Sequence, residues 1–196
     1  MTPANKTVDD PTKLFKHKQD WGAWLEKSHR QSPGLWLRLA KKGSKIQSVT
    51  YKEALEVALC YGWIDGPKRP QNEEFWLQKF LPRSARSLWS KINREKALAL
   101  IASGEMKPAG FEAIETAKRN GRWEAAYDSP AGAAVPSDLQ AALEDHPAAH
   151  EFFNTLDKAN RYAVLWRIQT VKTSETRARK IAQFVAMLER KEKIHN

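Results

Sequence analysis

Apolar and polar positions change their spacing partway along the chain. Trp21, Trp24 and Leu25 share the spacing of one helical face, and Pro33-Gly34 ends that segment. Leu35-Trp36-Leu37-Arg38-Leu39 reads as a strand, closed by a Lys41-Lys42-Gly43-Ser44 turn. Thr50 with Glu53 three residues later is a capping box, in which side chain and backbone satisfy each other at a helix start. The helix it opens puts Ala54, Leu55, Ala58 and Leu59 on one face and stops at Gly62. Trp63-Ile64-Asp65 predicts a short second strand, and Phe75-Trp76-Leu77-Gln78-Lys79-Phe80-Leu81 a third, ended by Pro82.

From Ser87 onward the period becomes helical. A helix is expected from about Ser90 to Ser103, with Gly104 as its stop. Pro108 suits the first turn of the next, which ends near Asn120-Gly121. Residues 128–136 lack periodicity and read as a linker. Beyond it, Ser137 with Gln140 is read as a cap, and Pro147 starts another helix. Tyr162, Leu165, Trp166 and Ile168 mark a third. The last helix, about Thr173 to Arg190, is expected to turn Ala178, Ile181, Phe184, Val185 and Leu188 inward.

The pattern predicts an α+β protein: a small, mostly antiparallel sheet with helices first, then an all-helical part. Residues 1–18 read as a polar lead-in, 19–127 as the α+β domain and 137–196 as the helical section, separate or packed on the first.

Composition narrows the classes. The chain has 196 residues, 41% of them hydrophobic, with eight Trp, which is the profile of a folded protein. A net charge of +10 makes anions the partners to consider, nucleic acid included; the same charge also serves solubility alone. The lone Cys60 rules out an intrachain disulfide and fits a reducing compartment. Residues 1–18 show no signal-peptide pattern, and nowhere do about 18 apolar residues run together as a membrane span requires. The expected setting is cytoplasmic.

Candidate chemistry concentrates between residues 41 and 93. Asp65, before Gly66-Pro67, reads either as an acid/base or anchoring group or as a carboxylate satisfying turn amides. Trp63 and Trp89 stand beside polar residues and are the better ligand candidates; Trp76, between apolar neighbours, reads as core. Arg83, Arg86 and Lys91 sit with Ser87, Ser90 and Asn93 at a helix start, where exposed N–H groups favour an anion or where serines simply cap. Lys41 and Lys42 are assigned to the same surface. His146 and His150 have a metal-compatible spacing but no third ligand nearby, so neither metal nor cofactor is expected. Cys60, among apolar residues, reads as an inert thiol. No phosphate-binding Gly loop, His-Glu-x-x-His or Gly-x-Ser-x-Gly occurs.

Several segments together resemble the YdeI/OmpD-associated family, the bacteriocin-protection proteins. They are Trp36-Leu37, Lys41-Lys42, Ala58-Leu59-Cys60 through Gly62-Trp63-Ile64-Asp65-Gly66, Phe80 with Pro82-Arg83, and Ser87-x-Trp89-Ser90-x-x-Asn93. Gly104-x-Met106-x-Pro108-Ala109-Gly110, Gly121-Arg122-Trp123 and Thr176-Arg177 complete them. The resemblance implies a link to resistance against bacteriocins and cationic antimicrobial peptides, and to an outer-membrane porin. It supplies no reaction and no catalytic residue. The family's periplasmic description is not matched by an export signal here.

The sequence therefore points first to a non-catalytic binding protein for a small anionic ligand or a protein partner, tied to stress resistance. Its expected contacts are Lys41, Lys42, Trp63, Asp65, Arg83, Arg86, Trp89, Ser90 and Asn93. A nucleic-acid-binding module is one alternative, and an enzyme using Asp65 and Arg83 another.

Overall fold

The computed structural model describes residues 11–195; residues 1–10, most of the polar lead-in, and residue 196 lie outside the described residues. The chain divides into two compact units. One holds the described residues up to Ser87 with Asn93–Glu124; the other holds Leu88–Ile92 and residues 125–195.

The first unit is built on a four-stranded sheet ordered β1-β2-β4-β3, where β1 is Thr12–Lys13, β2 Leu35–Ala40, β3 Trp63–Pro70 and β4 Phe75–Pro82. β1 runs parallel to β2, and the other two pairings are antiparallel. β3 runs five residues beyond the expected Trp63-Ile64-Asp65, straight through Pro67 and Pro70. It lies at the sheet edge, where a missing N–H removes no ladder bond. A register shift between Asp65 and Lys68 absorbs the first proline. Buried Gln78 fills that irregularity, its Nε2 donating to the carbonyls of Gly66 at 2.8 Å, Lys79 at 3.1 Å and Pro67 at 3.3 Å.

Helices α1 (Lys18–Ser28) and α2 (Tyr51–Cys60) supply the core on one side of this sheet. The Thr50–Glu53 capping box is present in both directions. Trp21 stacks on Trp24 at 5.3 Å and meets Phe80 at 5.8 Å and Trp63 at 6.1 Å, while its indole donates to the Ala54 carbonyl. Leu35, Leu37 and Leu39 complete the layer. Helices α3 (Lys91–Ala102) and α4 (Pro108–Arg119) follow, with Pro108 opening α4.

In the second unit, α5 (Ser137–Glu144), α6 (Pro147–Thr155), α7 (Lys158–Gln169) and α8 (Ser174–Glu189) enclose a core including Leu139, Phe153, Leu165, Ile168, Phe184 and Leu188. Two expectations are corrected here. Ser137 is already inside α5; the capping position is Pro136, with no side-chain cap, and Gln140 donates instead to Glu144. Ala178 of α8 is exposed, because the inward stripe begins at Ile181. Among the described residues no helix is long and apolar enough to cross a membrane.

Candidate functional site

The nine residues singled out from the sequence fall into different environments. Trp63 is 1% exposed, and its indole donates to the His29 carbonyl at 3.1 Å, so it is part of the tryptophan core. Trp89, in the second unit, is also buried, and its carbonyl accepts from Tyr127. Ser90 of that unit bridges to Tyr127, next to the Lys91–Asp128 ion pair at 2.6 Å. Trp76, expected to be core, is half-buried instead, and its ring lies 6.1 Å from that of Tyr51. The Tyr51 hydroxyl donates to Asp65 at 2.8 Å, so this carboxylate is held by a phenol across the α2–β3 corner. Arg83 is half-buried, with its backbone N–H on the Gly62 carbonyl, and Arg86 is exposed beside the Ser84–Ser87 turn. Asn93 begins the second stretch of the first unit and is half-buried.

Cys60 is buried, and removal from water pushes its thiol up to about 11. A thiol so rarely ionised is no nucleophile. His146 Nδ1 lies 2.9 Å from a Glu189 carboxylate oxygen.

The concentration of chemistry that the structure does show is on the other face of the sheet. Strand alternation sends Leu35, Leu37 and Leu39 to the helices, and Trp36 and Arg38 the opposite way. Register then fixes their neighbours: Trp36 pairs with Lys79, while Arg38 pairs with Leu77, which also pairs with Arg69 of β3. The Arg69 guanidinium lies 3.8 Å from the centre of the Trp36 ring, and the Lys79 ammonium 5.8 Å from it. Arg38 lies 4.3 Å over Phe75 and donates to Gln71 at 3.1 Å. Three strands thus contribute three cations layered on two aromatic rings, with half-buried Leu77, Leu81 and Ile64 between and beside them. Lys41 and Lys42 leave the end of β2 beside this face, where the Lys41 N–H extends the pairing to Glu74.

Such a surface is electrostatically complementary to an anion, with the two guanidiniums held against the rings by the ring quadrupoles. The charge distribution agrees. Residues 1–124 carry 23 Lys and Arg against 14 Asp and Glu, whereas residues 125–196 carry 10 against 9.

Comparison with known families gives two matches. Residues 13–113 match the model described as Domain of unknown function (DUF8412), and residues 133–191 match the model described as Bacteriocin-protection, YdeI or OmpD-Associated. The first covers just over half the chain and spans β2, β3 and β4 with α1 to α3; the second contains α5 to α8. No curated protein and no solved structure matches.

Proposed function

The chain belongs to the family of that domain of unknown function and carries the bacteriocin-protection, YdeI or OmpD-associated region behind it; from this membership we propose a non-catalytic binding protein for an anionic ligand. The observation that carries the proposal is the stacking of Arg69 and Lys79 on Trp36, and of Arg38 on Phe75, on one sheet face. An anion approaching that face meets cations already positioned by the rings, which lowers the ordering cost of binding.

The protection named in the family's description then acts indirectly. A chain of charge +10 repels a polycationic peptide, so sequestering one is disfavoured, whereas holding an anionic metabolite or envelope precursor is not. The lone, buried Cys60 supports a reducing, cytoplasmic setting for this activity.

Nucleic acid is the second reading, favoured by the excess of basic residues before residue 125. A thermal-shift screen of phosphorylated small molecules and short oligonucleotides, at low and moderate salt, tests both. A stabilisation by a small anion that survives moderate salt and disappears in Arg69→Gln supports the first reading. Stabilisation by oligonucleotides alone, falling steeply with salt, transfers the site to the second. Shifts unaffected by Arg69→Gln and Arg38→Gln remove the sheet face from both.

A further inference from the structure

We propose that the second unit carries a separate site for a planar aromatic anion, in the groove along α7. The starting point is a pair of aromatic side chains left outside the core. Tyr162 and Trp166 are half-buried, yet they are not members of the hydrophobic cluster that α7 feeds through Val164, Leu165 and Ile168. They lie one helical turn apart on a different stripe of α7. With Ala159 and Ala163 they floor a groove of about 540 Å³, within the range of small-molecule sites. Both aromatics line the groove beside the small alanines, and Trp166 meets Tyr127 in a T-shaped contact at 6.1 Å.

The rim sets the charge. Lys158 and Arg167 leave α7 at the two ends of the floor, their backbones ~13 Å apart along the helix axis. His195 closes one side, and no carboxylate is among the described residues lining the groove. Two acids adjoining lining residues in sequence or contact, Asp128 and Asp157, have partners of their own. Asp128 is paired with Lys91 at 2.6 Å and accepts from Gln169, and Asp157 accepts both the backbone and the side-chain N–H of Asn160. An apolar, aromatic floor between two cations selects a flat molecule carrying negative charge.

The wall formed by His195 is fixed. Asn160, only 3% exposed, accepts from the N–H groups of Ile194 and His195 and donates to the His195 carbonyl. A buried amide with such a set of partners holds the segment after α8 against the start of α7. The Arg167 guanidinium is likewise tethered, by a 3.0 Å bond to the Ala163 carbonyl that keeps it alongside the floor. This site is independent of the sheet face in the first unit and stands or falls without it.

The test follows the tryptophan indole N–H signals of the whole chain by NMR during titration with naphthalene sulfonate. Naphthalene methanol serves as the neutral isostere, and Trp166→Phe assigns the signal. The expected result is a saturable shift of the Trp166 signal, with the neutral probe about tenfold weaker. Lys158→Gln and Arg167→Gln should each weaken the sulfonate by about threefold to tenfold and leave the alcohol unchanged. Equal affinity for both probes, insensitivity to both charge variants, or movement of another indole with Trp166 still overturns the proposal. If Arg167→Gln does not fold, Lys158→Gln, at an exposed first-turn position, decides alone.

Discussion

Arg177 grips both carboxylate oxygens of Asp138, Nε to Oδ2 at 2.5 Å and Nη2 to Oδ1 at 2.9 Å, and sends Nη1 to the Ile168 carbonyl at 2.9 Å. One guanidinium therefore joins the start of α5, the last turn of α7 and the first turn of α8. A charge-assisted fork of this kind is stronger than a neutral hydrogen bond, though partial exposure weakens it. Arg177→Met should destabilise the protein by about 1–2 kcal/mol, read as a lower midpoint in urea unfolding with an unchanged slope. The Thr176-Arg177 pair, part of the family resemblance, is thereby explained as architecture: Thr173 caps the helix, and Arg177 ties it down.

The same pair gives an acid dependence. The Arg177 hydrogen bonds hold the Asp138 carboxyl below its ordinary range. Between the folded and unfolded values the unfolded chain binds the extra proton, so stability rises with pH there. The contribution is complete above about pH 4 and is lost as pH falls through the lowered folded value. Thermal unfolding of wild type and Asp138→Asn should therefore differ most near neutrality, and the gap should close below about pH 4. A gap that persists unchanged into strong acid would show that the carboxylate charge contributes nothing.

Gly110 is locked by the backbone of α2. A Cβ there would lie 2.4 Å from the Cys60 carbonyl oxygen, 2.9 Å from that of Leu59 and 2.3 Å from the Met106 sulfur. Gly62 faces the same joint from the other side, at φ +71°, and a Cβ there would lie 2.6 Å from the Ala109 carbonyl oxygen. Carbonyls held in helix ends cannot move aside as a side-chain tip can, so Gly110→Ala should cost about 2–4 kcal/mol in denaturant unfolding. A cost under about 1 kcal/mol would mean that α4 can slide away from α2 freely.

That joint also shows what was legible in the sequence. Gly62 and Gly110 stand in two segments recognised by resemblance, and the pattern alone placed one as a helix stop and the other inside a helix. Their shared cause, the close approach of α2 and α4, is a long-range contact that no local period encodes. Capping and alternation were readable: the Thr50–Glu53 box, β2 and the start of α4 at Pro108 follow from local chemistry. The far half of β3 was hidden, because prolines signal a turn unless the strand is known to lie at an edge. Without that half, Arg69 had no sheet partner, and the cation face that it forms with Trp36 could not be assembled. Polar neighbours in sequence do not report the burial of a tryptophan: Asp65, two residues on, shares the strand face of Trp63, yet Trp63 is core and Asp65 reaches the Tyr51 hydroxyl.

Cys60 should behave as a core side chain in solution. Burial raises its thiol to about 11, so at pH 8 the thiolate fraction is on the order of one in a thousand. A disulfide reagent should label the denatured chain at once and the native protein only as fast as it opens. Labelling of native protein at the rate of a free thiol would place Cys60 at an accessible surface.

Trp63 and Arg69 allow the core and the binding face to be separated by substitution. Trp63 is 1% exposed and its indole satisfies the His29 carbonyl, so Trp63→Phe removes buried area and orphans an acceptor together. The expected cost is about 2–3 kcal/mol, with anion binding unchanged when measured well below the melting temperature. Arg69→Gln should show the converse: stability within about 1 kcal/mol of wild type, since an exposed cation–π contact contributes no more than that, and a clear loss of anion affinity. Denaturant unfolding and a binding titration on the same two variants decide the matter. Equal loss of binding in both would return Trp63 to the ligand site and make the cations on Trp36 a packing feature of the sheet.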